Sequence, residues 1–147
     1  MSTSTAQQTD TNLRTVSQNY ARLQAHFKSF YDAAFSLSRQ PYPLAGVSFE
    51  EISSGRQFKV AWCGRVLEFR FSVKLSPENS ALGVVTCVEP NTFGDRVEPR
   101  EIDSYFFKRN GLVQAELPSD IDDDMEIGYD LASWYIICRC FEKALQQ

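Results

Sequence analysis

The chain contains a single histidine, His26, in 147 residues, and its glycines, Gly64, Gly83, Gly94 and Gly111 among them, are isolated from one another. With one imidazole, a His-based triad, a pair of imidazole ligands and the usual zinc sets have no seat except through cysteine. Isolated glycines also exclude a loop that cradles phosphate. The longest apolar run, Trp134–Cys138, is five residues, against the ~20 that a membrane-spanning helix requires. Met1–Asp10 holds no basic start, apolar stretch or small-residue cleavage site, so the expected location is the cytoplasm. There the four cysteines, Cys63, Cys87, Cys138 and Cys140, are expected as thiols. Cys138 and Cys140 are two apart on a helix and diverge. No internal repeat is visible.

What is present is a globular composition. Apolar residues are 43% and aromatics 13%, including eleven Phe, well outside the disordered range. A domain of this length buries roughly 70% of the surface its unfolded chain exposes. Two stretches keep apolar residues on a 4,3 spacing. The first runs Leu13, Val16, Tyr20, Leu23, Phe27, Phe30, Ala34, Leu37 and the second Ile127, Leu131, Trp134, Cys138, Phe141, Leu145. Each places one apolar seam along a helix. The first helix is expected from Thr11 or Asn12, either of which can cap it, to about Ser38, before Pro41 and Pro43. Met1–Thr11 reads as a flexible tail and 12–147 as one domain. The second helix is expected to be capped by Ser119 or Asp120, with Asp122, Asp123, Asp124 and Glu126 in its first turns, where acids complement the helix dipole.

Between the seams the pattern is β. After Val47 and Phe49 comes a turn at Ser53, Ser54 and Gly55, then a hairpin centred on Cys63 and Gly64. A two-residue turn there sets Val60 opposite Leu67 and Phe58 opposite Phe69, with Lys59 facing Glu68 and Gln57 facing Arg70 on the other side. Leu82–Val88 lacks alternation and reads as an interior strand, and Glu89–Glu101, with Pro90, Gly94 and Pro99, reads as a loop. A last hairpin turns through Arg109, Asn110 and Gly111. With Gly111 left-handed it pairs Phe107 with Val113 and Tyr105 with Ala115, leaving Phe106 on the wetter face. The expected fold class is α+β: an antiparallel meander of five or six strands, with long terminal helices packed on one face.

Charge is divided unevenly. From Glu89 to Asp130 there are twelve acids against four bases, a net −8 that leaves +4 for the rest of a chain totalling −4. Such a segment serves as a solvated rim or meets a basic partner. Ile121 and Met125 interrupt the frame of a loop-type calcium site among these acids. No metal or cofactor is therefore expected. His26 reads as a structural neighbour of Arg22 and Phe30, Cys63 as a turn thiol beside Arg65, and Cys87 and Cys138 as small core residues. Arg56, Lys59, Arg70 and Lys74 form a basic set on the wet face of the first hairpin, but two of them have partners across the strand. Direct nucleic-acid binding is not expected at a pI near 5.0.

The functional expectation is a non-catalytic cytoplasmic protein-interaction module, an inhibitor, immunity or chaperone-like protein. Its partner is another protein, which could carry a basic surface, or a second copy in a homodimer. The partner-binding candidates are Phe106, the acids Asp120, Asp122, Asp123 and Asp124, and, from the turn that is apolar on all sides, Tyr135 and Ile137. The alternative is a small-ligand-binding domain or minor enzyme with a pocket between sheet and helices, walled by Trp62, Phe69 and Tyr105.

Overall fold

The computed structural model describes residues 5–39, 44–90, 99–114, 126–128 and 130–146. Thr5 accepts a hydrogen bond from the Gln8 amide through its hydroxyl at 3.0 Å, which caps helix α1, Ala6–Ser38. The helix therefore begins five residues before Thr11, within the stretch expected to be a tail, because Ala6, Gln7 and Gln8 follow a competent cap without a breaker. At 1.5 Å per residue it is about 50 Å long. Its middle lies on the sheet, with Leu23, Phe27, Phe30, Ala33 and Ala34 buried. The seam is not covered throughout, since Leu13 near its start is 62% exposed.

Five strands follow: β1 Ser48–Ser53, β2 Gln57–Trp62, β3 Arg65–Leu75, β4 Ala81–Glu89 and β5 Arg100–Phe107. They form one antiparallel meander in the order β1-β2-β3-β4-β5. The β2–β3 turn puts both Cys63 (φ 51°) and Gly64 (φ 76°) in the left-handed region, the twist that a two-residue hairpin demands. Val60 then pairs with Leu67, Phe58 with Phe69, Lys59 with Glu68 and Gln57 with Arg70, as the alternation predicts. The last turn also has the expected register, with Phe107 bridged to Val113 and Gly111 at φ 89°. β4 lies inside the sheet, and its residues are buried on both faces.

One face carries the aromatic core. Phe27 from α1 sits 5.6 Å from both Phe58 and Phe71, Phe30 reaches Phe58 at 5.7 Å and Phe69 at 6.0 Å, and Phe58 stacks on Phe69 at 5.2 Å. Gly83 has no side chain because Phe107, its cross-strand partner, occupies the space: a Cβ there would lie 2.1 Å from the ring. Helix α2, Asp130–Gln146, packs beside α1 over the same face, where Phe141 meets Trp62 edge-on at 5.4 Å.

α2 departs from its expected form in two ways. It starts at Asp130, far past Ser119: Glu126 is bridged to Leu112, and Ile127 and Gly128 turn tightly against α1, where a Gly128 Cβ would fall 2.7 Å from that of Ser29. At 17 residues it is short, not long. Its buried face is also rotated. Ser133, Ile136, Ile137, Cys140 and Ala144 are fully enclosed, whereas Cys138 is half-buried and Leu145 is 54% exposed. A turn that is apolar all round does not by itself select a face, and the small residues Ser133, Cys140 and Ala144 let the backbone approach closely.

The end of α2 is held by charge. Arg65 binds Glu89 through two bonds of 2.8 Å and the Ala144 carbonyl at 3.1 Å, Arg100 binds the same carboxylate at 2.5 Å, and Lys143 pairs with Asp103. Two guanidiniums thus satisfy a helix-terminal carbonyl that has no partner within the helix. The Arg65 hydrogen bond, then that of Arg100, hold the Glu89 carboxyl below its ordinary value against the opposing effect of burial. A depressed carboxylate stabilises the fold above its unfolded pKa and loses that contribution as pH falls through the folded value. Urea midpoints of the wild type should therefore fall as pH drops below about 4. Glu89→Gln should flatten that slope and cost about 2 kcal/mol at neutral pH. Gly83→Ala should cost about 2 kcal/mol by overpacking, and clearly less in a Phe107→Leu background, because one ring carries the clash.

Candidate functional site

At one end of the sheet three polar segments converge: the first half of α1, the β3–β4 turn and the turn after β5. They enclose an open cleft of about 700 Å³ lined by Thr15 and Asn19, by Ser76 and Glu78–Leu82, and by Lys108, Arg109, Asn110 and Gln114. The β3–β4 turn closes through Ser76 N–H to the Ser80 carbonyl at 2.8 Å and Asn79 N–H to the Ser76 carbonyl at 2.9 Å, with Asn79 at φ 62°. Asparagine is among the few residues that accept this conformation readily. The other turn is tied to α1 by His26, whose Nε2 lies 2.8 Å from the Arg109 carbonyl. A carbonyl only accepts, so Nε2 carries the proton. The imidazole also meets the Phe107 ring edge-on, and a Cβ on Gly111 would lie 3.0 Å from it.

Hydrogen bonding within the cleft uses donors and acceptors alike: on α1, Thr15 Oγ1 donates to the Thr11 carbonyl at 3.0 Å and Asn19 Nδ2 to the Thr15 carbonyl at 2.7 Å. Asn110 Oδ1 accepts from the Leu112 amide at 3.1 Å and Ser76 Oγ from the Ser80 amide at 3.0 Å. Lys108 and Arg109 form no ion pair among the described residues, and Glu78 is the lining acid. On the adjoining sheet face, turned from the helices, Lys74 lies over the Phe106 ring at 4.6 Å, a cation–π contact at the half-buried ring.

Of the residues singled out from sequence, Phe106 therefore lies on β5 beside the cleft, half-buried. Tyr135 is half-buried on α2, over the opposite face, and packs against the core. Ile137 is fully buried. It fills the core and presents no contact surface, since the helix face expected to point outward turns inward. Phe106 is thus not brought together with Tyr135 and Ile137. Asp120, Asp122, Asp123 and Asp124, with the Tyr105–Ala115 pairing, lie outside the described residues. The proposed pocket walls are core elements: Phe69 and Tyr105 are buried, and Trp62 packs on Phe141.

The remaining reactive groups are occupied. Cys63 is exposed at its turn, but Arg65, the cation next to it in sequence, is engaged by Glu89 and Ala144. Cys87 and Cys140 are both buried, and the neighbouring Cys140 thiol together with burial pushes the Cys87 thiol far up. Burial pushes Cys138 up to about 11. The Cys87 and Cys138 thiols stay protonated and pack as apolar groups. Among the described residues no group of three His, Cys, Asp or Glu could hold a metal ion, and no helix is long and apolar enough to cross a membrane.

Sequence reasoning missed the cleft. Its signal was present only as two unrelated polar turns, Ser76–Ser80 and Lys108–Asn110, and a run of polar residues early in α1. Comparison with family models, curated proteins and solved structures returns no match. Because Gly111 combines positive φ with the His26 contact, Gly111→Ala should destabilise the protein by about 2 kcal/mol in thermal unfolding.

Proposed function

We propose that this chain is a non-catalytic interaction module that binds another protein, to block or escort it, through the end of the sheet where Phe106 and the polar cleft adjoin. The observation that carries this reading is the half-buried Phe106 ring held under Lys74 beside a cleft whose two cations have no ion-pair partner among the described residues. Aromatic and cationic side chains at a concave surface supply binding energy and orientation on contact, without a reacting group. The histidine, the buried thiols and Arg65 are meanwhile engaged in holding the fold together.

Phe69 and Tyr105, the side chains that would wall a small-ligand pocket, are buried in the core. Phe106→Ser tests the interaction reading directly. In capture experiments from native cells, a partner retained by the wild type should be lost or weakened about tenfold by Phe106→Ser. Ile52→Ser, on the opposite edge strand where Ile52 is 43% exposed, should leave capture unchanged. Equal capture by both variants would count against this surface.

A further inference from the structure

The chemistry of the cleft specifies the partner more closely. Resting on the interaction reading above, we infer that the cleft receives an acidic, carboxylate-bearing peptide segment of the partner protein. The first argument is the set of donors that the two turns present. The Asn110 and Ser76 oxygens each accept one amide N–H of the turns they close, and the Asn110 amide N–H₂ and the Ser76 O–H remain as donors. The Asn79 and Gln114 side-chain amides add further donors. Lys108 and Arg109 donate without accepting. On the side formed by the turns, these two cations and N–H and O–H groups are matched by a ligand rich in acceptors.

The second argument is charge. Among the described lining residues Lys108 and Arg109 against Glu78 give a net positive charge, and Lys74 stands on the adjoining face, whereas the whole chain carries −4. A positive cleft on an acidic protein selects for an acidic partner by attraction at the site and repulsion of acids elsewhere. Neither turn is free to collapse onto the space. One is closed by its own backbone hydrogen bonds, the other is anchored to α1 through His26. Binding therefore requires little ordering.

A peptide fits better than two other anionic ligands. Nucleic acid requires a track of several cations and rings on which bases stack, but among the described residues the lining includes an acid and no aromatic side chain. Small metabolites are held by mostly apolar pockets that enclose them, but here the lining is polar, with Ala81 and Leu82 as its apolar members. Phe106, on the adjoining sheet face, would receive an apolar side chain of the same segment.

The test uses a fluorescein-labelled peptide of alternating Glu and Ser with a terminal Leu, read by anisotropy, beside a matched peptide with Gln for Glu. The Glu peptide should bind about tenfold more tightly than the Gln peptide, and its binding should weaken as salt is raised. A Lys108→Glu/Arg109→Glu chain with unchanged thermal unfolding should lose about tenfold in affinity for the Glu peptide, while Glu78→Gln should gain. Both turn cations are exposed, so these changes spare the fold. Equal binding of the two peptides, or no effect of charge reversal, would overturn the inference. Tighter binding of a single-stranded oligonucleotide would overturn the peptide assignment. Loss of the captured partner with Phe106→Ser but not with Lys108→Glu/Arg109→Glu would leave the interaction surface standing and remove the acidic segment from it.

Discussion

The contact between α1 and the sheet is a layer of phenylalanine rings, and every other placement in the fold follows from it. Phe27 and Phe30 project from one helix face onto Phe58, Phe69 and Phe71 on adjacent strands. Each such ring removes a large apolar area from water, worth about 2–3 kcal/mol, and tilted or stacked pairs add a smaller directional preference. That direction matters because burial alone would let the helix slide. With several rings interlocked, α1 crosses the sheet at one position, and its first turns, where Leu13 is exposed, extend beyond the aromatic layer.

Two consequences reach the surface. α2 finds its place in the space that α1 leaves on the same face, where its small residues pack closely and its final carbonyl meets Arg65 and Arg100. Those guanidiniums also share Glu89, so strand ends from β3, β4 and β5 are linked to the helix terminus. At the opposite end of the sheet, fixing α1 brings His26 to the Arg109 carbonyl. A polar turn that would otherwise be free is thereby held against the helix, and the cleft exists because of that distance. Binding surface and core are in this sense one construction.

The parts read correctly from sequence are those governed by neighbours a few residues apart. Cross-strand pairs on both sides of Cys63–Gly64 follow from turn length and alternation alone. Gly111 and the Phe107–Val113 pairing follow from turn chemistry in the same way. The misreadings arise where several answers satisfy the local pattern. Five consecutive apolar residues from Trp134 to Cys138 fit more than one buried face, and the fold uses one in which Ile137 is enclosed. Acids before Asp130 satisfy the rules for a helix start, yet Glu126 pairs with Leu112. Backbone pairing across a turn outweighs a dipole effect of a few tenths to about 1 kcal/mol.

The sequence by itself determined the class of the protein, two amphipathic helices around an antiparallel meander, along with the register of the β2–β3 hairpin and the Phe107–Val113 pairing. Periodicity and turn length act over short stretches of chain, so they are present before any distant contact forms. Only the tertiary structure decided which side of α2 is buried, that Arg65 serves Glu89 instead of the neighbouring thiol, and that Thr15, Asn79 and Arg109 line one cleft. Those residues are separated by scores of positions, and nothing in their local patterns refers to one another. Their meeting depends on where a helix settles on a sheet, and that is settled by the packing of rings far from the cleft.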